Sequence, residues 1–195
     1  FTMTLLSLFF TLLMTGEVAA AAPSVTATSI SNDTLYYDST DGKMYTDAAL
    51  TKVYTEQTDK WSSFFMSGMN TYVLQLNGFN FTTTQNIGLN LVHSGYIELA
   101  AGSDNHIVST FSGNSFSAGF YAMGTVIIYG KGDGSGTLYA TAGSSTSSNN
   151  YSMGFAVFDS LHFISGHLFA SGGGDADSVG LEAQNMDFYS GEITA

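Results

Sequence analysis

With 195 residues, 44% hydrophobic and 14% aromatic, the chain holds enough apolar side chain for one core and at most one small appendage. Sixteen acidic residues stand against four lysines and no arginine, a net charge of −12, which excludes nucleic acid as a partner because phosphate neutralisation needs clustered basic groups. Only 10% of residues are charged and 22 are glycine, so short strands and turns are expected rather than helix bundles, and the absence of cysteine excludes disulfides and thiolate zinc. An acidic balance of this size either recruits Ca²⁺ or keeps the protein soluble, and solubility is its ordinary role.

Residues 1–22 carry an apolar run from Leu5 to Met14, then Gly16 and Glu17, then small residues with Val18/Ala20 and Ala19/Ala21 as cleavage-site pairs. This is the pattern of a signal peptide, so the mature form is expected to be secreted. The run is shorter than the roughly 20 residues that span a bilayer, so no membrane span is expected in that form. Because the chain begins at Phe1 without a basic leader, it is expected to be truncated at its N-terminus; stopping inside a repeat, it is expected to be truncated at its C-terminus too.

Residues 23–71 read as a linker, a hairpin and a cap. Pro23 to Ser31 is small and polar. Leu35–Tyr37 and Lys43–Thr46 flank Asp38-Ser39-Thr40-Asp41-Gly42, a hairpin signal, since Asp-Gly supplies positive φ. Asp38, Asp41 and Asp47 raise calcium, but their spacing is not that of an EF-hand and suits turn chemistry. Segment 47–54 is open between a short helix and a strand. Trp61, Phe64, Phe65 and Met66 form an apolar cluster expected to close one end of the core.

Residues 72–195 repeat. The stretch 126–143, VIIYGKGDGSGTLYATAG, returns altered as 161–173, LHFISGHLFASGG, and again as 186–195, MDFYSGEITA. Rungs start at Tyr72, Tyr96, Val126, Leu161 and Met186, and a second series opens with Gly88, Gly119, Gly154 and Gly180 as Gly-Φ-x-Φ. Each repeat therefore has three short strands. Uneven spacing counts against a propeller, whose blades must close a ring; extra residues bulge out as loops at 109–118, 143–153 and 172–179. Gly130–Gly136, GKGDGSG, lacks the ending of a phosphate loop and the iteration of calcium-binding repeats, and reads as a tight corner.

Aligned this way, residues 72–195 resemble a family of secreted bacterial right-handed parallel β-helix proteins, pectate-lyase-like and often carbohydrate-binding. In place of L-T-I-x-G-x-G-T-L-x-V-T-x-G followed by G-I-Y-A stand VIIYGKGDGSGTLYATAG with GFYA, and LHFISGHLFASGG with GLEA. The resemblance implies an all-β, right-handed parallel β-helix with an N-terminal capping hairpin. Function follows less directly, because the same fold serves lyases, hydrolases, adhesins and surface proteins.

Strand alternation then assigns faces. Val126, Ile128, Leu138, Ala140, Leu161, Phe163, Leu168, Ala170, Met186 and Phe188 are expected inside. Tyr129, Tyr139, His162, His167, Phe169, Asp187 and Tyr189 are expected outside, as columns of flat apolar surface edged by polar groups. Such a stripe fits a polysaccharide or cell-surface glycan, with Tyr129, Tyr139, Phe169 and Tyr189 stacking on sugar rings and His162, His167 and Asp187 bonding hydroxyls. The same stripe equally suits protein contact in an adhesin or structural surface protein, attached to the cell surface through a missing C-terminal region. No catalytic residue, metal site or cofactor is assigned. The histidines lack a third ligand, Lys131 sits on a glycine turn as a solvated charge, and Asp159, Glu182, Asp187 and Glu192 are candidate carboxylates by location only.

Overall fold

The computed structural model of the chain describes residues 30–146, 151–174 and 177–195. The stretch read as a signal peptide, most of the stretch read as a linker, and parts of the two later insertion loops lie outside the described residues. What is described is all-β, without a helix.

The first strands, β1 (Ile30–Ser31), β2 (Leu35–Asp38) and β3 (Lys43–Tyr45), include the hairpin that Asp41-Gly42 predicts. β2 and β3 run antiparallel with Tyr37 opposite Met44, and Gly42 takes φ 72°. Segment 47–54 is neither helix nor strand. The Asp47 carboxylate accepts from the backbone N–H groups of Thr51 and Lys52 at 2.8 and 2.9 Å, and a lone bridge joins Val53 to Tyr45. A second antiparallel pair follows, β4 (Trp61–Met66) on β5 (Thr71–Leu76), with Phe64 opposite Val73.

From there the chain visits three places in turn. The first round is β6 (Asn80–Thr83), β7 (Ile87–Leu91) and β8 (Gly95–Leu99). The second is β9 (Asp104–Ser109), the two-residue β10 (Ser112–Gly113), β11 (Ser117–Ala122) and β12 (Val126–Gly130). In the third, β13 (Thr137–Thr141) and the short β14 (Ser144–Ser145) precede β15 (Ser152–Phe163), which fills two places as one strand. In the fourth, β16 (His167–Ser171) leads to the equally continuous β17 (Ser178–Phe188), and β18 (Glu192–Thr194) follows.

A six-stranded sheet takes the order β1-β6-β9-β13-β16-β18. A ten-stranded sheet takes β3-β2-β7-β11-β15-β12-β8-β5-β4, with β17 beside β15. Apart from the β2–β3 and β4–β5 pairs, every strand pairing described is parallel. Parallel strands ordinarily return through helices; here the return is made by the strands of the other sheet. The parallel pairing is already present ahead of residue 72, through β1 on β6 and β2 on β7.

One core lies between the sheets. Leu35, Leu89, Phe120, Phe155 and Leu181 stand in one row, and the rings of Phe120 and Phe155 stack at 4.3 Å. Val126, Ile128, Leu138, Ala140, Leu161, Phe163, Leu168 and Ala170 are buried, as alternation expects. Each large side chain so buried contributes about 1.5–3 kcal/mol.

Gly-Φ-x-Φ has a steric reason. A Cβ on Gly119 would lie 2.5 Å from the backbone nitrogen of Thr141 and 2.8 Å from the carbonyl of Gly154, because here the two sheets' backbones meet. A polar exception in the core is Asn105, fully buried in the row of Leu138. Its Oδ1 accepts from the Gly78 and Phe79 N–H groups at 2.9 and 3.0 Å, while Nδ2 donates to Ser103 Oγ at 3.0 Å and to the Thr137 carbonyl at 2.9 Å. All four of its hydrogen-bonding positions are satisfied, which is what makes its burial tolerable.

Three expectations need correction. Met186 and Phe188 do take the inward row, opposite Leu161 and Phe163, yet each is 49% exposed, because β17 pairs with β15 on one side and with no described strand on the other. The rung read from Tyr96 begins at Gly95, which pairs with Val126, so Ile97 and Leu99 point in while Tyr96 and Glu98 point out. With a side-chain period of two, one residue of slip exchanges the faces. Phe64 and Phe65 do not close the core: they sit half-exposed on edge strand β4, and of that cluster Trp61 packs against the core.

Candidate functional site

On the outer face of the six-stranded sheet the register brings Asn80, His106, Tyr139, Phe169 and Thr194 into one row. Parallel in-register strands repeat every ~4.8 Å, close to the thickness at which aromatic rings stack. His106 and Tyr139 lie with centroids 4.5 Å apart and planes 5° apart; Tyr139 and Phe169 follow at 5.0 Å and 14°.

Near-parallel rings at these separations overlap face to face instead of lying side by side. The expected flat apolar surface is therefore not what the column presents. Tyr139 spends both faces on its neighbours and shows its edge; Phe169 keeps one face free of ring contact, on the side of Thr194. Burial pushes the His106 imidazole below its ordinary pKa, against the opposing pull of Asp104, and so favours the neutral ring. Burial, followed by Asp104, raises the Tyr139 hydroxyl.

Polar rows flank the column. On one side stand Asp104, Thr137, His167 and Glu192, where His167 Nδ1 lies 3.3 Å from Glu192 Oε2. On the other stand Thr82, Val108, Thr141 and Ser171. At the Asn80 end a cavity of about 70 Å³ opens, lined by Asp33, Tyr54, Glu56, Gln57 and Asn80 among others. Gln57 holds φ 51° and doubles its amide against the strand edge: Nε2 donates to the Asn80 carbonyl at 2.7 Å, and Oε1 accepts from the Asn80 N–H at 3.1 Å.

Of the seven residues singled out in the sequence, Tyr139, Phe169 and His167 thus come together. Of the other four, Tyr129, His162 and Asp187 lie on the outer face of the ten-stranded sheet, across the core, and Tyr189 directly follows β17. There His162 Nδ1 meets Asp187 Oδ2 at 2.9 Å, and Tyr189, next to Phe188, is 66% exposed. Tyr129 is half-buried in another setting. Glu98, nearly buried on the neighbouring strand, accepts from Gln75 Nε2 and pairs with Lys131 Nζ at 3.5 Å. Burial, then the charge of Glu98 and a hydrogen bond to it, push the Tyr129 hydroxyl up to about 12. Lys131, expected as a solvated charge, is thus tied to a carboxylate, although its side chain stays 58% exposed.

Sequence reasoning missed His106, Asp104, Asn80 and Glu98. The signal was present, since 104–109, DNHIVS, occupies the place of TLYAT and HLFAS and alternation then puts Asp104 and His106 outside. It was hidden because this strand follows a turn of different length and lacks the leucine found in the other two. Among the candidate carboxylates, Asp159 accepts from Thr125 Oγ1 at 2.9 Å, and Asp187 and Glu192 face His162 and His167. No three His, Asp or Glu side chains gather around a common point among the described residues. Comparisons with family models, with curated proteins and with solved structures each give no match to this chain, so its reading rests on this geometry.

Proposed function

We propose that the chain is a secreted, right-handed parallel β-helix of the pectate-lyase-like kind that binds a polysaccharide or cell-surface glycan outside the cell without transforming it. For the β-helix, the support is the succession of parallel registers in which partners stand about 25–35 residues apart around one core. The right hand follows from the usual sense of parallel crossovers.

The observation that carries the binding reading is the stacked His106, Tyr139 and Phe169 column between two polar rows. One strand step is comparable to one pyranose unit of an extended glycan. A polymer lying across the strands therefore meets the same pair of rows at every unit. Hydroxyls bond to Thr141 and His167, and the apolar parts of the sugar pack along the exposed edge of the column. The reading needs no cofactor, and Lys131, paired with Glu98, is not offered as a base.

Glycan-array binding by the full chain, repeated with Tyr139→Ala and Phe169→Ala, tests this. Binding that the two substitutions weaken is the expected result; binding that they leave unchanged removes the site from this face. A protein-contact role, as in an adhesin, is favoured by a different observation: Phe158 on the ten-stranded sheet, and Ile164 and Tyr189 just past the ends of β15 and β17, are 40%, 37% and 66% exposed. Absence of any glycan binding selects that second reading.

A further inference from the structure

We propose, resting on the glycan-binding reading above, that the polymer is cationic: a polysaccharide of hexosamine units whose amino groups are free and protonated. The argument is charge complementarity along one face. The row beside the aromatic column carries Asp104 at one end and Glu192 at the other, and the cavity at its head is walled by Asp33 and Glu56. Neither flanking row contains a lysine. Three of the four lysines stand next to carboxylates elsewhere, Lys43 at Asp41, Lys60 at Asp59 and Lys131 at Glu98.

A polyuronate laid on this face would find no lysine or arginine to meet its carboxylates, the one histidine in that row, His167, being already held by Glu192, and would approach a molecule of net charge −12. A like-charged partner of that kind is disfavoured both in steering and in docking. An ammonium group reverses every one of these contributions. It donates to Asp104, Glu192 or the cavity carboxylates as a charge-assisted hydrogen bond. In the column alongside, burial works against the charged form of His106. Asp104 and Glu192 are three strand steps apart, roughly 14 Å. That distance exceeds one sugar unit and calls for a chain rather than a monosaccharide.

The test is isothermal titration of the full chain with three six-unit ligands at mildly acid pH: a free-amine β-1,4-glucosamine oligomer, its N-acetylated counterpart, and oligogalacturonate. An oligolysine of equal charge is added as a fourth. The free-amine oligomer is expected to bind at least about tenfold tighter than the N-acetylated one, to weaken with salt, and to lose that advantage in the Asp104→Asn, Glu192→Gln double variant. Tyr139→Ala is expected to weaken both. Equal affinity for the amine and N-acetyl forms, or binding of oligogalacturonate, overturns the inference and leaves glycan binding standing. Oligolysine binding as tight as the glucosamine oligomer, insensitive to Tyr139→Ala, overturns it as charge attraction alone. If no sugar ligand binds, the glycan-binding reading falls and this inference with it.

Discussion

Phe163 and Phe188 occupy the same inward row in neighbouring strands, their rings parallel and 5.9 Å apart, yet one is fully buried and the other is 49% exposed. Leu161 and Met186 differ in the same way. A strand's own alternation decides which way a side chain points. Whether that direction is a dry one depends on the next strand being there. The two residues are equivalent as pattern and unequal as energy, and that inequality is open to measurement.

The largest expected effect comes from a place where the inward row admits no side chain. Gly119→Val drives a branched group into the backbone of Thr141 and Gly154. It should cost more than about 5 kcal/mol, comparable to the whole stability of a small domain, so loss of the strand signal in circular dichroism at room temperature is expected. A folded variant would mean that the sheets separate more readily than the row implies. Next, Phe163→Ala should cost about 3–5 kcal/mol and Phe188→Ala only about 1 kcal/mol by urea unfolding. Equal losses would break the comparison, by showing that the last strand is covered in solution.

Asn105→Ala sharpens the comparison from the polar side. It strands the Gly78 and Phe79 N–H groups and the Thr137 carbonyl in the core, at about 2–3 kcal/mol. The smallest effect is alkaline. The folded Tyr129 hydroxyl titrates near 12 against an ordinary 10, so its contribution is intact below pH 10 and is lost as pH rises from 10 through 12, where the unfolded chain ionises first. Phenolate absorbance should show that late step, and Glu98→Gln should bring it earlier.

Much of this architecture was legible because a repeat states its own periods. Gly88, Gly119, Gly154 and Gly180 mark one place in the fold by a steric demand, and the alternation of LYA and LFA assigns Tyr139 and Phe169 to one outer row. What could not be read is what depends on neighbours the pattern does not name. The slip from Tyr96 to Gly95 is invisible in a run where Tyr and Ile both satisfy a β pattern. His106 joins the column only once the register of β9 is known, and the overlap of the rings follows from strand spacing in three dimensions. Ring identity was in the sequence, while ring orientation was not.

The near absence of local pairing has a kinetic consequence. Outside the β2–β3 and β4–β5 pairs, each strand's partner lies about 25 or more residues away, so loop-closure entropy is met before most contacts form. Hairpins close in roughly 1–10 μs, whereas all-β chains dominated by distant pairings fold in milliseconds to seconds. The two hairpins lie at opposite ends of the ten-stranded sheet's order, with β7 beside β2 and β8 beside β5. Folding is therefore expected to start from that pair of early templates and to add later strands in sequence order, leaving β17 and β18 as the last to dock and the first to exchange their amide hydrogens.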